Sequence, residues 1–130
     1  MSCPFCDPYV ELFGNEFAYV KIDEFPVSPG HVLIIPRRHV LSWFNLTREE
    51  HAAATILLAL TKEYLDSHYS PDGYNVGVNC GEAAGQTIPH AHLHVIPRYT
   101  NDVPNPRGGI RAVIQAKQDY PVQTNSFYIG

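Results

Sequence analysis

The chain has 130 residues, a formal charge of −4 and 45% hydrophobic residues, a length and balance that suit one globular domain. No run approaches the ~20 apolar residues of a membrane span, and Met1–Pro4 lacks the regions of a signal peptide. No block of basic charge offers a grip on nucleic acid either, so the expectation is a cytoplasmic protein with neither nucleic-acid nor membrane partners.

Cys3-Pro4-Phe5-Cys6 comes first. Three cysteines are too few, and odd in number, for a secreted disulfide framework. A C-x-x-C pair is half a zinc site or a redox pair, and the redox form wants a preceding strand and a helix after the first cysteine. Neither is expected here, which favours zinc over redox, with two incidental cysteines as the plain alternative. Phe17–Asp23 alternates as a strand, with Ala18, Val20 and Ile22 on one face and Asp23 at the polar end of the other. Val27–Gly30 is a turn, and His31–Ile35, apolar after its first residue, reads as an interior strand ended by Pro36.

Thr47-Arg48-Glu49-Glu50 fits a capping box, Thr47 as N-cap and Glu50 three residues on. Ala53, Ile56, Leu57, Leu60, Tyr64 and Leu65 then recur at helical spacing, predicting one long helix to about Tyr69. Tyr74–Cys80 alternates after a turn, placing Cys80 on the core side as a small packed residue and Asn79 on the other. Gly81–Ile88 is a loop in which Gly81 and Gly85 permit positive φ and close approach of N–H groups to a phosphate.

His90-Ala91-His92-Leu93-His94-Val95-Ile96, between Pro89 and Pro97, is the most informative segment. In a strand, residues i, i+2 and i+4 share a face, so three imidazoles line one side and Ala91, Leu93 and Val95 the other. The tail after Arg98 is rich in Pro and Gly and reads as extended. Strand, strand, helix, strand, strand is an α+β order with a mainly antiparallel sheet.

Two chemistries fit three aligned imidazoles. They can hold one catalytic zinc with a fourth position for water. Alternatively the central one is a nucleophile, neutral, with one nitrogen free and the other donating to a fixed acceptor. Spacing alone does not separate them.

The histidine run, with Asn79 and Gly85-Gln86-Thr87 before it and Pro29–Pro36 followed by Arg37-Arg38-His39 upstream, resembles the histidine triad superfamily of nucleotide hydrolases and transferases. The likeness covers about residues 3–98 of a single domain spanning 1–130. The tail, 99–130, resembles a bacterial group close to the dinucleoside polyphosphate hydrolase branch. The resemblance implies a five-stranded antiparallel sheet with one long helix, and two such sheets joined across a homodimer. It implies that His92 attacks the α-phosphate of a nucleotide, a dinucleoside polyphosphate before others, and carries a covalent nucleotidyl group until water removes it. His94, Gln86 and Thr87 would contact phosphate, with Gly85 in the same loop. Asn79 would hold phosphate or ribose, Asp23 would hydrogen-bond ribose hydroxyls, and His31 would stand beside the triad as part of the catalytic set. Phe5 is a candidate wall of a base slot. The resemblance further implies a structural zinc on Cys3, Cys6, His39 and His90. His51 and His68 are left as solvated helix residues. The same residues would serve a phosphorylase, a nucleoside phosphoramidase or a zinc-containing nucleotide-binding module with vestigial activity.

Overall fold

The computed structural model describes residues 3–7 and 10–121. The chain divides into two compact units, residues 1–99 and 100–130. In the first, five strands, β1 (Phe13–Gly14), β2 (Ala18–Ile22), β3 (Val32–Pro36), β4 (Gly73–Val78) and β5 (Leu93–Arg98), form one antiparallel sheet in the order β1-β2-β3-β5-β4. Among the described residues the one α-helix, α1, runs Arg48–Tyr69 and begins with the expected capping box. The Thr47 hydroxyl accepts from Glu50 N at 3.1 Å, and the Glu50 carboxylate accepts from Thr47 N at 2.8 Å. Arg38 adds a two-pronged bond to the same carboxylate, at 2.8 and 3.0 Å, tying the helix start to the segment after β3. No described helix is long and apolar enough to cross a membrane.

Strand alternation sorts the core into two sides. Ala18, Val20, Val32, Ile34 and Val95 pack against Ala54, Leu57 and Leu65 of α1. Tyr19, Leu33 and Ile35 point the other way and pack with Phe5, bringing the N-terminal turn onto the face opposite the helix. The Tyr19 hydroxyl anchors that turn by donating to the Phe5 carbonyl at 2.6 Å, and burial pushes its pKa up to about 12. His31 and His94 stand on this second face by the same alternation.

Four expectations are corrected. Ile56 and Leu60 are 58% and 46% exposed, because the sheet takes the stripe Ala54, Leu57, Thr61, Leu65 and leaves their neighbours to one side. Cys80 is not packed in the core: β4 ends at Val78, and Cys80 lies half-buried on the wall of a surface cavity. The histidine strand starts only at Leu93, since Pro89 and the bonds His90 N to Ile88 O and Ala91 N to Val40 O occupy the backbone before it. It then continues through Pro97, which lies beyond the stretch where β3 pairs with β5, so its missing N–H costs no ladder bond there. The tail is not extended over its described part. It makes 3-10 turns at Gly109–Val113 and Gln115–Lys117 and folds on itself, with Gln118 donating to Asn105 O and Arg107 O, and the Arg111 guanidinium over the Tyr120 ring at 4.6 Å. Residues 122–130 of the tail lie outside the described residues.

Candidate active site and metal cluster

The three histidines do not form one group. Among the described residues, His90 gathers with Cys3, Cys6 and His39, whereas His94 gathers with Asp23 and His31. His92 stands between the two, 9% exposed, with its ring edge-on to Phe5 (centroids 5.0 Å) and to His94 (5.1 Å). A single zinc on all three imidazoles, the first chemistry weighed above, does not match this divergence.

His92 Nδ1 lies 2.8 Å from the His90 carbonyl. A carbonyl only accepts, so Nδ1 carries a proton, and in the neutral imidazole the lone pair is on Nε2. His92 lines a cavity of about 270 Å³ together with His94, Asp23, Asn79, Gly85 and Thr87. Nε2 is therefore the nitrogen left for a reacting group in that cavity. Asn79 and Thr87 are exposed and make no hydrogen bond to protein among the described residues, so both are available to a ligand. Gly81 and Gly85 have φ of +92° and +91°, as a loop curled around an anion needs.

His94 is set by a relay that begins on the backbone. Val27 N–H donates to His31 Nδ1 at 3.1 Å, which places the neutral His31 proton on Nε2. His31 Nε2 then donates to His94 Nδ1 at 2.9 Å, leaving His94 a proton on Nε2, the nitrogen available to a cavity ligand as a donor. Burial, chiefly, lowers the pKa of both imidazoles and keeps them neutral, against the opposing pull of Asp23. Asp23 Oδ2 lies 3.3 Å from His31 Nε2 and 3.8 Å from His94 Nδ1. Although Asp23, His31 and His94 have the composition of a metal set, the proton on His31 Nε2 makes this trio a hydrogen-bond relay.

Gln86 stands apart from the other predicted phosphate contacts. Its amide nitrogen donates to Leu41 O at 2.9 Å and Ile88 O at 3.1 Å, and its oxygen accepts from Gly81 N at 2.9 Å. Both donor protons are spent on holding the loop, and the residue lines a second cavity. Lys21, Phe25, Leu33 and Ile88 also line the His92 cavity and were not singled out from sequence. For Lys21 a signal was present, since alternation along β2 puts it on the same face as Tyr19. Phe5, proposed as a base-slot wall, does line the cavity, but it is 4% exposed and packed into the core beneath His92.

The other cluster has the geometry of a closed metal site. Cys3 Sγ is 3.3 Å from His90 Nδ1, Cys6 Sγ is 3.1 Å from His39 Nδ1 and 3.6 Å from His90 Nδ1, and the two Nδ1 atoms are 3.2 Å apart. The ligand–ligand edges of a tetrahedron with zinc bond lengths are roughly 3.3–3.8 Å. His90 Nε2 donates to the Pro36 carbonyl at 2.8 Å, which fixes the tautomer that leaves Nδ1 free to ligate. The donor set and tautomer fit zinc. His51 and His68 are exposed on α1, apart from both clusters.

The HIT domain family model matches residues 9–101. An uncharacterized HIT-like protein of Mycoplasma genitalium is 35% identical over 104 residues, covering 75% of this chain and 74% of its own length. A bis(5'-adenosyl)-triphosphatase of Dictyostelium discoideum is 34% identical over 94 residues, covering 72% of this chain and 63% of its own length. Among solved structures, a zinc-bound histidine triad family protein from Mycobacterium smegmatis aligns with a TM-score of 0.70 at 29% identity, covering 89% of this chain and 93% of that one.

Proposed function

The chain belongs to the HIT domain family, and from that premise we propose that it is a nucleotide hydrolase whose nucleophile is Nε2 of His92. One observation carries the reading: His92 Nδ1 is bound to the His90 carbonyl, so the neutral ring holds its lone pair on Nε2, and the residue lines a cavity with Gly85, Thr87 and His94. In the proposed reaction Nε2 bonds to the α-phosphorus and the bond from phosphorus to the bridging oxygen breaks, that oxygen leaving with the electron pair. Water then attacks the same phosphorus, the P–N bond breaks, His92 is regenerated and the water proton leaves with the released nucleotide. His94 Nε2–H and the loop at Gly85 and Thr87 hold the phosphoryl oxygens, Asn79 adds a polar contact, and Asp23 serves a ribose hydroxyl while orienting His31. Gln86 acts as the clamp that keeps this loop in shape.

A dinucleoside polyphosphate is the proposed substrate, supported by the Dictyostelium relative's name as a bis(5'-adenosyl)-triphosphatase. Cys3, Cys6, His39 and His90 would hold a structural zinc, supported by the cluster geometry and the zinc-bound neighbour. Zinc bound there supplies a crosslink between the N-terminal turn and the segment leading to His92. A second copy of the chain is the proposed partner at the β4 sheet edge, where Val76 is 38% exposed and lines an apolar surface hollow with Leu58 and Ala59 of α1. The test of function is a rate comparison, with purified protein and no added metal, across diadenosine polyphosphates, adenosine phosphoramidate and adenylyl sulfate. Turnover of a diadenosine polyphosphate is the expected result. Binding of nucleotides without turnover of any of them would leave only a binding module.

A further inference from the structure

The His92 cavity, at about 270 Å³, is just below the range of pockets that enclose small ligands, which run roughly 300–1,000 Å³. It has room for one nucleotide half and not for two joined through a polyphosphate. A second, open cavity of about 940 Å³ adjoins it, and Thr87 lines both. The loop that would hold the phosphate is thus the ridge between the two. The far wall of the second cavity carries Leu41 and Phe44, which are 58% and 81% exposed, and Pro89 completes an apolar side. That wall is fixed to the phosphate loop, because the Gln86 amide donates to the carbonyl of Leu41.

We propose that this second cavity is the subsite for the departing half of the substrate, a nucleoside whose base stacks on Phe44 while its phosphates cross the loop at Thr87. The inference rests on the dinucleoside polyphosphate reading given above. It makes Phe44 a specificity-determining residue: it touches the leaving nucleoside and has nothing to touch in a substrate with a small leaving group. Stacking of a base on an aromatic ring is sequence-tolerant, so this subsite accepts bases generally.

The experiment compares Phe44→Ala with the natural protein on diadenosine tetraphosphate and on adenosine phosphoramidate, whose leaving group is ammonia. The kcat/KM for the dinucleotide should fall about tenfold, the scale of one lost base–aromatic stack, and that for the phosphoramidate should change by less than about twofold. Phe44→Trp should restore the dinucleotide rate, and Leu41→Ser, which keeps the carbonyl that Gln86 uses, should lower it in the same selective manner. Equal losses on both substrates would make Phe44 a support of the fold and overturn the subsite. No loss on either would overturn it as well. A natural protein that turns over phosphoramidate but no dinucleotide would refute the substrate reading itself, and that result is read before any variant is made.

Discussion

His90 and His92 are two residues apart, both buried, and face opposite chemistry. The difference lies in which ring nitrogen meets a carbonyl. Pro36 O takes the Nε2 proton of His90, so Nδ1 turns to two sulfurs and a second imidazole in a closed cluster. His90 O takes the Nδ1 proton of His92, so Nε2 is left for an open cavity. Side-chain type is the same in both; in the proposal made above, the backbone acceptor decides between ligand and nucleophile. The two regions are also joined, since the carbonyl that orients His92 belongs to the residue that the metal cluster would pin.

The largest effect expected from breaking this comparison is on the open side. His92→Ala should lower turnover by on the order of 10⁶, as loss of a nucleophile does in other enzymes, while binding of a nucleoside monophosphate persists in equilibrium dialysis. A variant that keeps most of its turnover would remove His92 from the chemistry. The closed side should respond in stability. Replacing Cys3 and Cys6 by Ser should abolish zinc in elemental analysis and loosen the N-terminal turn, because structural sites of this kind contribute apparent binding energies of roughly 10 kcal/mol or more. Folded, active natural protein with far less than one zinc per chain would return the cysteines to incidental residues.

A smaller effect sharpens the open side. His94→Ala removes one donor to the phosphoryl oxygens and should cost about 10²–10³ in kcat, the range for a single oxyanion donor. An unchanged kcat would break the relay from Val27 through His31. The smallest effect is on pH dependence. Burial depresses His31 and His94 below the ordinary 6.5 in the folded chain, so below pH 6.5 the unfolded chain binds more protons. Their contribution to stability is complete above pH 6.5 and is lost as the pH falls toward their folded values. The melting temperature should therefore decline on acidification below 6.5, and less steeply in His31→Gln. Equal slopes in the two proteins would contradict the assignment.

What the sequence disclosed divides along the line between local and distant causes. The capping box at Thr47 and Glu50 is local chemistry within four residues, and it formed as read. Strand alternation put His94 on the side opposite Leu93 and Val95, and in the fold those two pack on the helix side while His94 lines the cavity. Spacing alone did not separate His90 from His92, and only the family resemblance gave them different roles, because the division depends on Pro36 and Val40, which meet this segment only after folding. Nor was β1, a strand of two residues whose existence depends on pairing with β2. Cys80 was misplaced because its alternation continued two residues past the point where pairing with β5 stops. Gln86 was read as a phosphate contact, but three backbone partners, brought together by the loop and by Leu41, occupy its amide.

The most direct measurement of the central claim is a rapid quench with labelled diadenosine polyphosphate, followed by mass analysis of the intact chain. If His92 Nε2 is the nucleophile, the chain gains the mass of one nucleotidyl group, and His92→Ala gains nothing. A chelator should then inhibit only slowly, in step with loss of structure at the N-terminal turn. Failure to trap an adduct under any quench condition, together with immediate inhibition by chelator while the fold persists, would contradict the account and assign the attack to a metal-bound water.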